Sequence, residues 1–345
     1  MEITLRSIFT EPANHGAKMK QSILLFLLSS LLFSCTSLDP EKPFTPQKQN
    51  EIISSDAKLK MLWKDGSFTE GPTVDKSGAV LFTDIRNNRI MKYDPDSGMT
   101  SVYRTESASA NGLMFTKDGS LIACEGADGG NRRLSIAKEG QIKSLVDNYK
   151  GKKFNSPNDV SIAPNGDVYF TDPRYKARKT EPKELDFEGV FLVRKGKAIL
   201  ATKETERPNG ILISKDGLTA FVADNNNSPN GARELLKFKI EKDGTFSNKK
   251  VLFKFKNNQR GMDGMTLDSD GNIYATAGRG AESGIYVFSP EGKHLAFIEL
   301  PDMPTNCIIA PGTNTLYITC QVKRQPNEYK KFGLFKINLL KKADK

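Results

Sequence analysis

Histidine is almost absent from this chain of 345 residues, which contains only two. His15 lies in an N-terminal leader, and His294 is expected at the surface of a strand. Zinc and copper sites usually need histidine or cysteine ligands, and Ser–His or Cys–His catalysis needs a histidine beside the nucleophile. The sequence therefore excludes a histidine-based metal site and a histidine-based catalytic triad.

Cysteine is also scarce, with four residues in the whole chain. Cys35 directly follows the predicted signal peptide, so Cys124, Cys307 and Cys320 remain, and an odd number gives no disulfide framework. Cys307 and Cys320 fall in paired strands of one predicted repeat and could form a bridge. We expect buried thiols instead.

A concentrated basic surface is missing as well, although the net charge is +10. Lysine and arginine are scattered, without a basic stripe interleaved with aromatic residues and without a nucleic-acid-binding motif. We therefore expect a basic, solvated surface and no nucleic-acid partner. The expected partner is a small molecule, and the expected oligomeric state is a monomer.

The N-terminal region has the features of an export signal. Met19, the expected true start, opens a short basic stretch, and the apolar run from Ser22 to Phe33 is too short to span a bilayer. Residues 1–34 are therefore interpreted as leader and signal peptide, and Cys35 as the lipidated residue of a bacterial lipoprotein facing the periplasm or the cell surface. Residues 35–57 are rich in polar residues and proline and predict a flexible tether. The alternative is an ordinary signal peptide with an incidental cysteine.

A repeat becomes visible when glycine-containing turns are aligned. Their separations run from 41 to 54 residues, which is typical of propeller blades. The six turns are Ser77-Gly78, Asp118-Gly119, Asn165-Gly166, Asp216-Gly217, Asp270-Gly271 and the degenerate Gly312-Thr313-Asn314.

Three or four strand-like segments accompany each turn, and the sixth repeat ends after its third. A further strand-like segment, Leu59–Trp63, precedes the first repeat. Pairing it with the last blade would close the circle and protect the open edges. We therefore predict an all-β protein, a single six-bladed β-propeller over residues 58–345, closed by an N-terminal strand.

Each repeat carries a polar residue eight positions before the last residue of its turn, which is the turn glycine in the first five repeats. Because the first strand of a propeller blade lines the central channel, these residues should form one layer around the axis. This layer, called the polar ring below, consists of Glu70, Asn111, Asn158, Asn209, Asp263 and Asn306.

The polar ring has two interpretations. Small polar residues line a wet channel in many propellers, but this explains poorly why Glu70 and Asp263 share a layer with four asparagines. Carboxylate and carboxamide oxygens together suit Ca²⁺, which accepts six to eight oxygen ligands in flexible geometry. A glycosidase-type pair of Glu70 and Asp263 is a less favoured alternative, because asparagines add ligands and no proton chemistry.

Several motifs resemble those of the gluconolactonase / senescence-marker-protein / luciferin-regenerating family, in order over about residues 60–325. The paraoxonases and diisopropylfluorophosphatase are more distant relatives. The motifs are Glu70-Gly71-Pro72, residues 82–90, Ala110-Asn111-Gly112-Leu113, residues 155–160, residues 169–173, Arg207-Pro208-Asn209-Gly210 and residues 261–265.

The resemblance implies a six-bladed propeller with one catalytic divalent cation, usually Ca²⁺, although Zn²⁺, Mn²⁺ or Mg²⁺ is also conceivable. It implies that Glu70, Asn209 and Asp263 are metal ligands and that Asn158 is a ligand or a substrate contact. Asn111 would be a substrate contact. One departure is that Cys124-Glu125 is followed by a glycine-rich loop, where such gluconolactonases often have histidine, and this leaves the substrate identity open.

The expected reaction is hydrolysis of a sugar-type lactone, with the cation polarising the carbonyl and Asp263 as general base for the attacking water. The alternatives are a ligand-binding propeller with structural calcium and a phosphotriesterase. Loops after the second strands should surround the cation, and Arg86 and Arg174 are candidate substrate contacts there. The cationic loop that contains Arg174, Tyr175, Lys176, Arg178 and Lys179 is either a partial lid or a solvated loop.

Overall fold

Six antiparallel four-stranded sheets make up most of the part of the chain that the structure describes. The structure is a computed structural model, and it describes residues 46–127, 129–175, 181–324 and 326–344. The predicted signal peptide, the predicted lipidation site at Cys35, and the predicted lid residues Lys176, Arg178 and Lys179 lie outside these residues. No helix among the described residues has the length and apolar character needed to cross a membrane.

The elements follow one another along the chain as blades. A short helix, α1 (Gln49–Ile52), comes first, and β1 (Lys60–Gly66) follows. Blade 1 comprises β2 (Thr69–Val74), β3 (Val80–Asp84), β4 (Arg89–Tyr93) and β5 (Thr100–Thr105). Blade 2 comprises β6 (Ala110–Phe115), β7 (Leu121–Glu125), β8 (Arg133–Lys138) and β9 (Gln141–Val146). A small hairpin of β10 (Asn148–Tyr149) and β11 (Lys152–Lys153) leads to the next blade.

The remaining blades repeat this pattern. Blade 3 comprises β12 (Val160–Ile162), β13 (Val168–Asp172), β14 (Gly189–Arg194) and β15 (Lys197–Thr202). Blade 4 comprises β16 (Pro208–Ile213), β17 (Thr219–Asn225), β18 (Arg233–Ile240) and β19 (Phe246–Lys254). Blade 5 comprises β20 (Met265–Leu267), β21 (Ile273–Ala277), β22 (Gly284–Phe288) and β23 (His294–Glu299). Blade 6 contains β24 (Pro304–Ile309), β25 (Thr315–Gln321) and β26 (Phe332–Asn338), and 3₁₀ turns lie at Ile85–Asn87 and Gly280–Glu282.

Blade 6 is completed from the other end of the chain. Strand β1 pairs antiparallel with β26, with Lys60 opposite Lys336 and Met61 opposite Phe335. The strand order in this sheet, from the outer edge to the axis, is therefore β1-β26-β25-β24. The pairing satisfies the outer edge of β26, which would otherwise expose unpaired backbone groups. The predicted six-bladed propeller and its closure by an N-terminal strand are therefore confirmed.

The apolar core lies between neighbouring blades. The second strand of most blades is buried on both faces, so its side chains alternate between the interfaces with the two neighbouring blades. Phe82 of blade 1 packs in one cluster with Tyr317 of blade 6, while Leu81, the residue before it in the strand, packs against blade 2. The period-two alternation of a strand produces this arrangement, because successive side chains point to opposite faces. The three described cysteines, all buried, are free thiols, as expected.

The segment before the first blade also packs on the propeller. Ile52 is only 1% exposed and belongs to the apolar cluster between blades 5 and 6. The Gln49 side chain donates to the Phe297 carbonyl at 2.8 Å and accepts from the Phe297 amide at 2.9 Å, which extends hydrogen bonding at blade 5. Residues 47–53 fall within the predicted tether, so the packed domain begins before the predicted boundary at residue 58.

An aspartate at the end of the second strand fixes the entry to the first strand in three blades. Asp172 accepts hydrogen bonds from the amides of Asn155 and Ser156 at 2.7 and 2.8 Å. Asp84 and Asp224 bind two successive amides in the same way in blades 1 and 4. Asp172 thus anchors the loop that leads into the first strand of blade 3. These clamps position the segments that lead into the polar ring.

Candidate active site

The polar ring residues lie where the innermost strands depart from regular pairing. In blade 1, Glu70 is opposite Thr83, but the next aligned pair is Thr73 with Leu81, so two residues are accommodated in a bulge. Blades 2, 4 and 6 have register shifts at the corresponding points. Bulges redirect side chains out of the pleat, and here they turn the polar residues toward the axis.

Glycine follows the polar ring residue in four blades because the neighbouring blade passes close by. A Cβ on Gly264 would lie 1.9 Å from Cγ of Asn306, and a Cβ on Gly71 would lie 2.2 Å from the carbonyl oxygen of Asn111. A side chain therefore does not fit at these positions without displacing the ring. Blades 3 and 6 have Asp159 and Cys307 at this position instead, and Asp159 is 8% exposed.

Five of the six polar ring residues line one cavity of about 650 Å³. The five are Glu70, Asn111, Asn158, Asn209 and Asp263. Glu70, Asn209 and Asp263 are 4–7% exposed, so their polar groups face the cavity from a nearly buried position. The structure thus brings together every predicted metal ligand and the predicted substrate contact Asn111.

The sixth polar ring residue, Asn306, lies beneath the cavity and joins two carboxylates. Its Nδ2 donates to Oε2 of Glu70 at 3.1 Å and to Oδ2 of Asp159 at 3.4 Å. Burial raises the pKa of Glu70 well above its usual value, and the nearby carboxylates of Asp263 and Asp159 raise it further. Burial likewise raises the pKa of Asp159 to about 7. The floor of the cavity is therefore a cluster of carboxyl groups whose ionisation is disfavoured by burial and mutual repulsion, and one carboxamide joins two of them.

Asp263 has a cationic partner that the repeat pattern did not indicate. Nη2 of Arg260 donates to Oδ2 of Asp263, and Nη1 donates to the Pro304 carbonyl at 2.8 Å. Burial raises the pKa of Asp263, while Arg260 and the Asn209 carboxamide act in the opposite direction. Arg260 thus holds Oδ2 of Asp263, and Asn209 is a second hydrogen-bond partner of the same carboxyl group.

Asn209 is oriented by an aromatic hydroxyl. Its Nδ2 donates to the Tyr175 hydroxyl oxygen at 2.8 Å, and the Arg207 guanidinium lies 5.5 Å from the centroid of the tyrosine ring. Tyr175 also lines the cavity. One residue of the predicted cationic lid is therefore part of the cavity wall, through its hydroxyl group and aromatic face.

The two arginines predicted as substrate contacts are placed differently. Arg86 lines the cavity, and its guanidinium lies 5.3 Å from the centroid of the Phe68 ring. Arg174 does not line the cavity, because its guanidinium donates to the carbonyls of Asn155 and Glu181 at 2.8 and 2.7 Å. In this arrangement Arg174 supports the loop that carries Tyr175, and its predicted contact with substrate is not supported.

The donors that face the cavity fit a hard cation. They are carboxylate and carboxamide oxygens, with no histidine or cysteine in the described lining. Oδ1 of Asn111 is buried and has no hydrogen-bond partner in the described structure, so one more oxygen is available. Within the described ranges, no group of three or more His, Cys, Asp or Glu side chains has the arrangement of a metal site, so carboxamides would have to complete the coordination.

Sequence reasoning missed three features of the site. Asp159 could have been noticed, because it occupies a position that is glycine in four other repeats. Arg260 and Arg279 lie in loops, where the repeat fixes no side chain, although the loop of Arg279 follows a second strand and was expected near the cation. The glycine-rich loop after Glu125 does contribute to the wall, through Gly126, Ala127 and Gly129, while its Asp128 lies outside the described residues.

Comparisons with known proteins agree with this architecture. Residues 68–321 match the protein family described as the SMP-30/Gluconolactonase/LRE-like region. A gluconolactonase of Zymomonas mobilis is 30% identical over 306 residues, covering 80% of this chain and 82% of the relative.

Two solved structures share the fold. A gluconolactonase from Xanthomonas campestris superposes with a TM-score of 0.72 at 24% identity, covering 87% of this chain and 99% of that one. A calcium-binding protein, regucalcin, from Agrobacterium tumefaciens has a TM-score of 0.67 at 18% identity, covering 87% of this chain and 98% of that one.

Proposed function

This chain belongs to the SMP-30/gluconolactonase/LRE-like family, and we propose that it is a divalent-cation-dependent hydrolase that opens sugar-type lactones. The gluconolactonase relatives support a lactonase-type hydrolase. The observation that carries the finer proposal is the cavity floor, where two carboxylates and three carboxamides of the polar ring converge. Such a set of oxygen donors can hold a cation next to the carbonyl group of a bound lactone.

We assign the cation to Glu70, Asn158, Asn209 and Asp263, and favour Ca²⁺ because all four side chains offer oxygen. Burial raises the pKa of Glu70, and repulsion from Asp263 and Asp159 raises it further; a positive ion would relieve this repulsion. The existence of a calcium-binding regucalcin with the same fold supports a divalent cation. A bound cation would supply Lewis-acid polarisation of the lactone carbonyl.

The side chains around the cation have separate tasks. Asn111 and Asn158 face the cavity and can hold the substrate by carboxamide hydrogen bonds. Asp263 takes a proton from water through Oδ1, the hydroxyl adds to the carbonyl carbon, and the proton passes to the leaving oxygen as the C–O bond breaks. Arg260, bound to Oδ2, keeps the carboxylate oriented and favours its ionised form.

The N-terminal region is assigned by sequence alone. We propose export of the protein and anchoring through a lipid on Cys35, with the propeller on the periplasmic or outer side of the membrane. Palmitate labelling of the wild-type protein and of the Cys35→Ser variant tests this. Labelling that persists in the variant contradicts the assignment.

The catalytic role of Asp263 is tested by the Asp263→Asn variant, assayed on a sugar lactone at saturating Ca²⁺. We expect kcat to fall by at least about 100-fold, because general-base catalysis contributes this much. Asp96→Asn is the matched control, since Asp96 is exposed and lies outside the cavity. A folded Asp263→Asn protein with unchanged turnover would refute the mechanism. In that case, ligand binding without turnover or phosphotriester hydrolysis is the next function to test.

A further inference from the structure

Positive side chains outnumber negative ones in the described wall of the cavity. Three arginines line it, namely Arg86, Arg260 and Arg279, and only two carboxylates do, Glu70 and Asp263. A divalent cation on the floor would add two more positive charges. Even when the buried Asp159 is counted, the described site would then carry a surplus of two positive charges.

The chain segments that carry two of these arginines, Arg260 and Arg279, are joined at blade 5. The amide of Gly278 donates to the Arg260 carbonyl at 3.2 Å, which brings the loop of Arg279 against the segment of Arg260. Arg260 is 10% exposed at its side chain and is paired with Asp263. Like charges held close together at a cavity wall are unfavourable unless a counter-charge lies between or beside them.

Arg279 has no carboxylate partner in the described structure. Its guanidinium is exposed at the mouth, and its hydrogen-bond contact is with the sulfur of Met303 at 3.5 Å, a weak acceptor. Met303 lines the same cavity, on the segment that leads into blade 6. The donors of Arg279 therefore remain available to a ligand that enters the cavity.

We propose that the substrate of this site is a lactone that carries a free carboxylate, such as the lactone of a sugar diacid, and that Arg279 binds this carboxylate. This inference rests on the proposed lactone hydrolysis and makes it more specific. A guanidinium presents paired donors that match the two oxygens of a carboxylate, so it recognises this group better than a hydroxymethyl group. Arg86, on blade 1, adds to the same positive field from the other side of blade 6.

The test compares two lactones that differ at one carbon. Glucono-1,4-lactone ends in a hydroxymethyl group and glucaro-1,4-lactone ends in a carboxylate, with the same lactone size. We expect wild-type kcat/KM to be at least about tenfold higher for the carboxylate-bearing lactone, since one charge-assisted hydrogen-bonded pair is worth this much. Rising ionic strength should reduce kcat/KM for this substrate alone, because salt screens the attraction.

The Arg279→Gln variant identifies the residue responsible. We expect it to lose about tenfold in kcat/KM on glucaro-1,4-lactone, mainly through KM, and to change by less than about twofold on glucono-1,4-lactone. Arg324→Gln is the matched control, since it removes the same charge from an exposed position outside the cavity. Its kinetics should equal those of the wild type on both lactones.

The outcomes separate the substrate class from the proposed function. Comparable hydrolysis of both lactones, or an equal loss on both in Arg279→Gln, overturns the carboxylate proposal and leaves lactone hydrolysis standing. Failure to hydrolyse either lactone with Ca²⁺ present, together with failure on a wider lactone panel, overturns both. A shift in Arg324→Gln equal to that in Arg279→Gln shows a general effect of net charge and also overturns the proposal.

Discussion

The floor of the cavity allows a direct test of the charge balance through Asn306. Replacing it by aspartate keeps the shape and exchanges a donor for a third carboxylate beside Glu70 and Asp159. The wild-type Nδ2 hydrogen bonds to both carboxylates would be lost. Hydrogen bonds to charged groups are worth about 1.5–3 kcal/mol each, so the loss is about 3–6 kcal/mol in the ion-free protein.

A second route gives a similar magnitude. The new aspartate could remain protonated, and holding a carboxyl of ordinary pKa near 4 protonated at pH 8 costs about 5 kcal/mol. Since unfolding entropy grows with chain length, about 2 °C of Tm per kcal/mol applies to a domain of this size. We therefore expect Asn306→Asp to lower Tm by about 6–12 °C at pH 8 in the presence of chelator.

Thermal unfolding followed by fluorescence, with chelator and with saturating Ca²⁺, measures this effect. The penalty should shrink at pH 5, where a carboxyl is protonated at lower cost, and also with Ca²⁺, which offsets the added charge. Asn257→Asp is the control, because Asn257 is exposed and does not line the cavity. An Asn306→Asp protein as stable as the wild type at pH 8 with chelator would refute the account of the floor.

Two further predictions concern stability. Ile52→Ala should lower the free energy of unfolding by about 2–4 kcal/mol, because truncating a side chain that is only 1% exposed leaves a cavity. Urea denaturation measures this loss of stability. An unchanged free energy of unfolding would mean that the N-terminal segment does not stabilise the blades. Burial raises the pKa of Asp172 to about 7 and that of Asp224 to about 6. Between about pH 4 and pH 7 the folded protein therefore binds more protons than the unfolded chain, so stability should fall as the pH rises through this window. Chelated protein should therefore melt at a higher temperature at pH 5 than at pH 8, and the difference should be smaller in Asp172→Asn; an unchanged difference in that variant would contradict the assignment to Asp172.

The fold could be predicted from sequence because it repeats. One turn and one polar residue at a fixed offset locate every blade, and the segment around Trp63 was the only strand left to close the circle. The packing of Ile52 was not predictable, since the surrounding residues have the polar composition of a linker and two isoleucines alone do not reveal which groove they fill.

The site was predictable only where it follows the repeat. Glu70, Asn209 and Asp263 lie at equivalent positions in their blades and meet in the cavity as predicted. Arg260 and Arg279 come from loops whose length differs between blades, so their place in the cavity wall depends on three-dimensional packing. Arg174 was a predicted substrate contact because it is a cation in a loop near the site. Its guanidinium instead donates to two backbone carbonyls, those of Asn155 and Glu181, and does not line the cavity.

The central claim is that a cation on the polar ring is required for lactone hydrolysis. It is tested most directly by measuring sugar-lactone turnover in purified protein before chelation, after removal of divalent ions, and after addition of Ca²⁺, Zn²⁺, Mn²⁺ or Mg²⁺. We predict that chelation abolishes turnover, that Ca²⁺ restores it, and that Glu70→Gln weakens this restoration. Full turnover in thoroughly chelated, folded protein would contradict the claim.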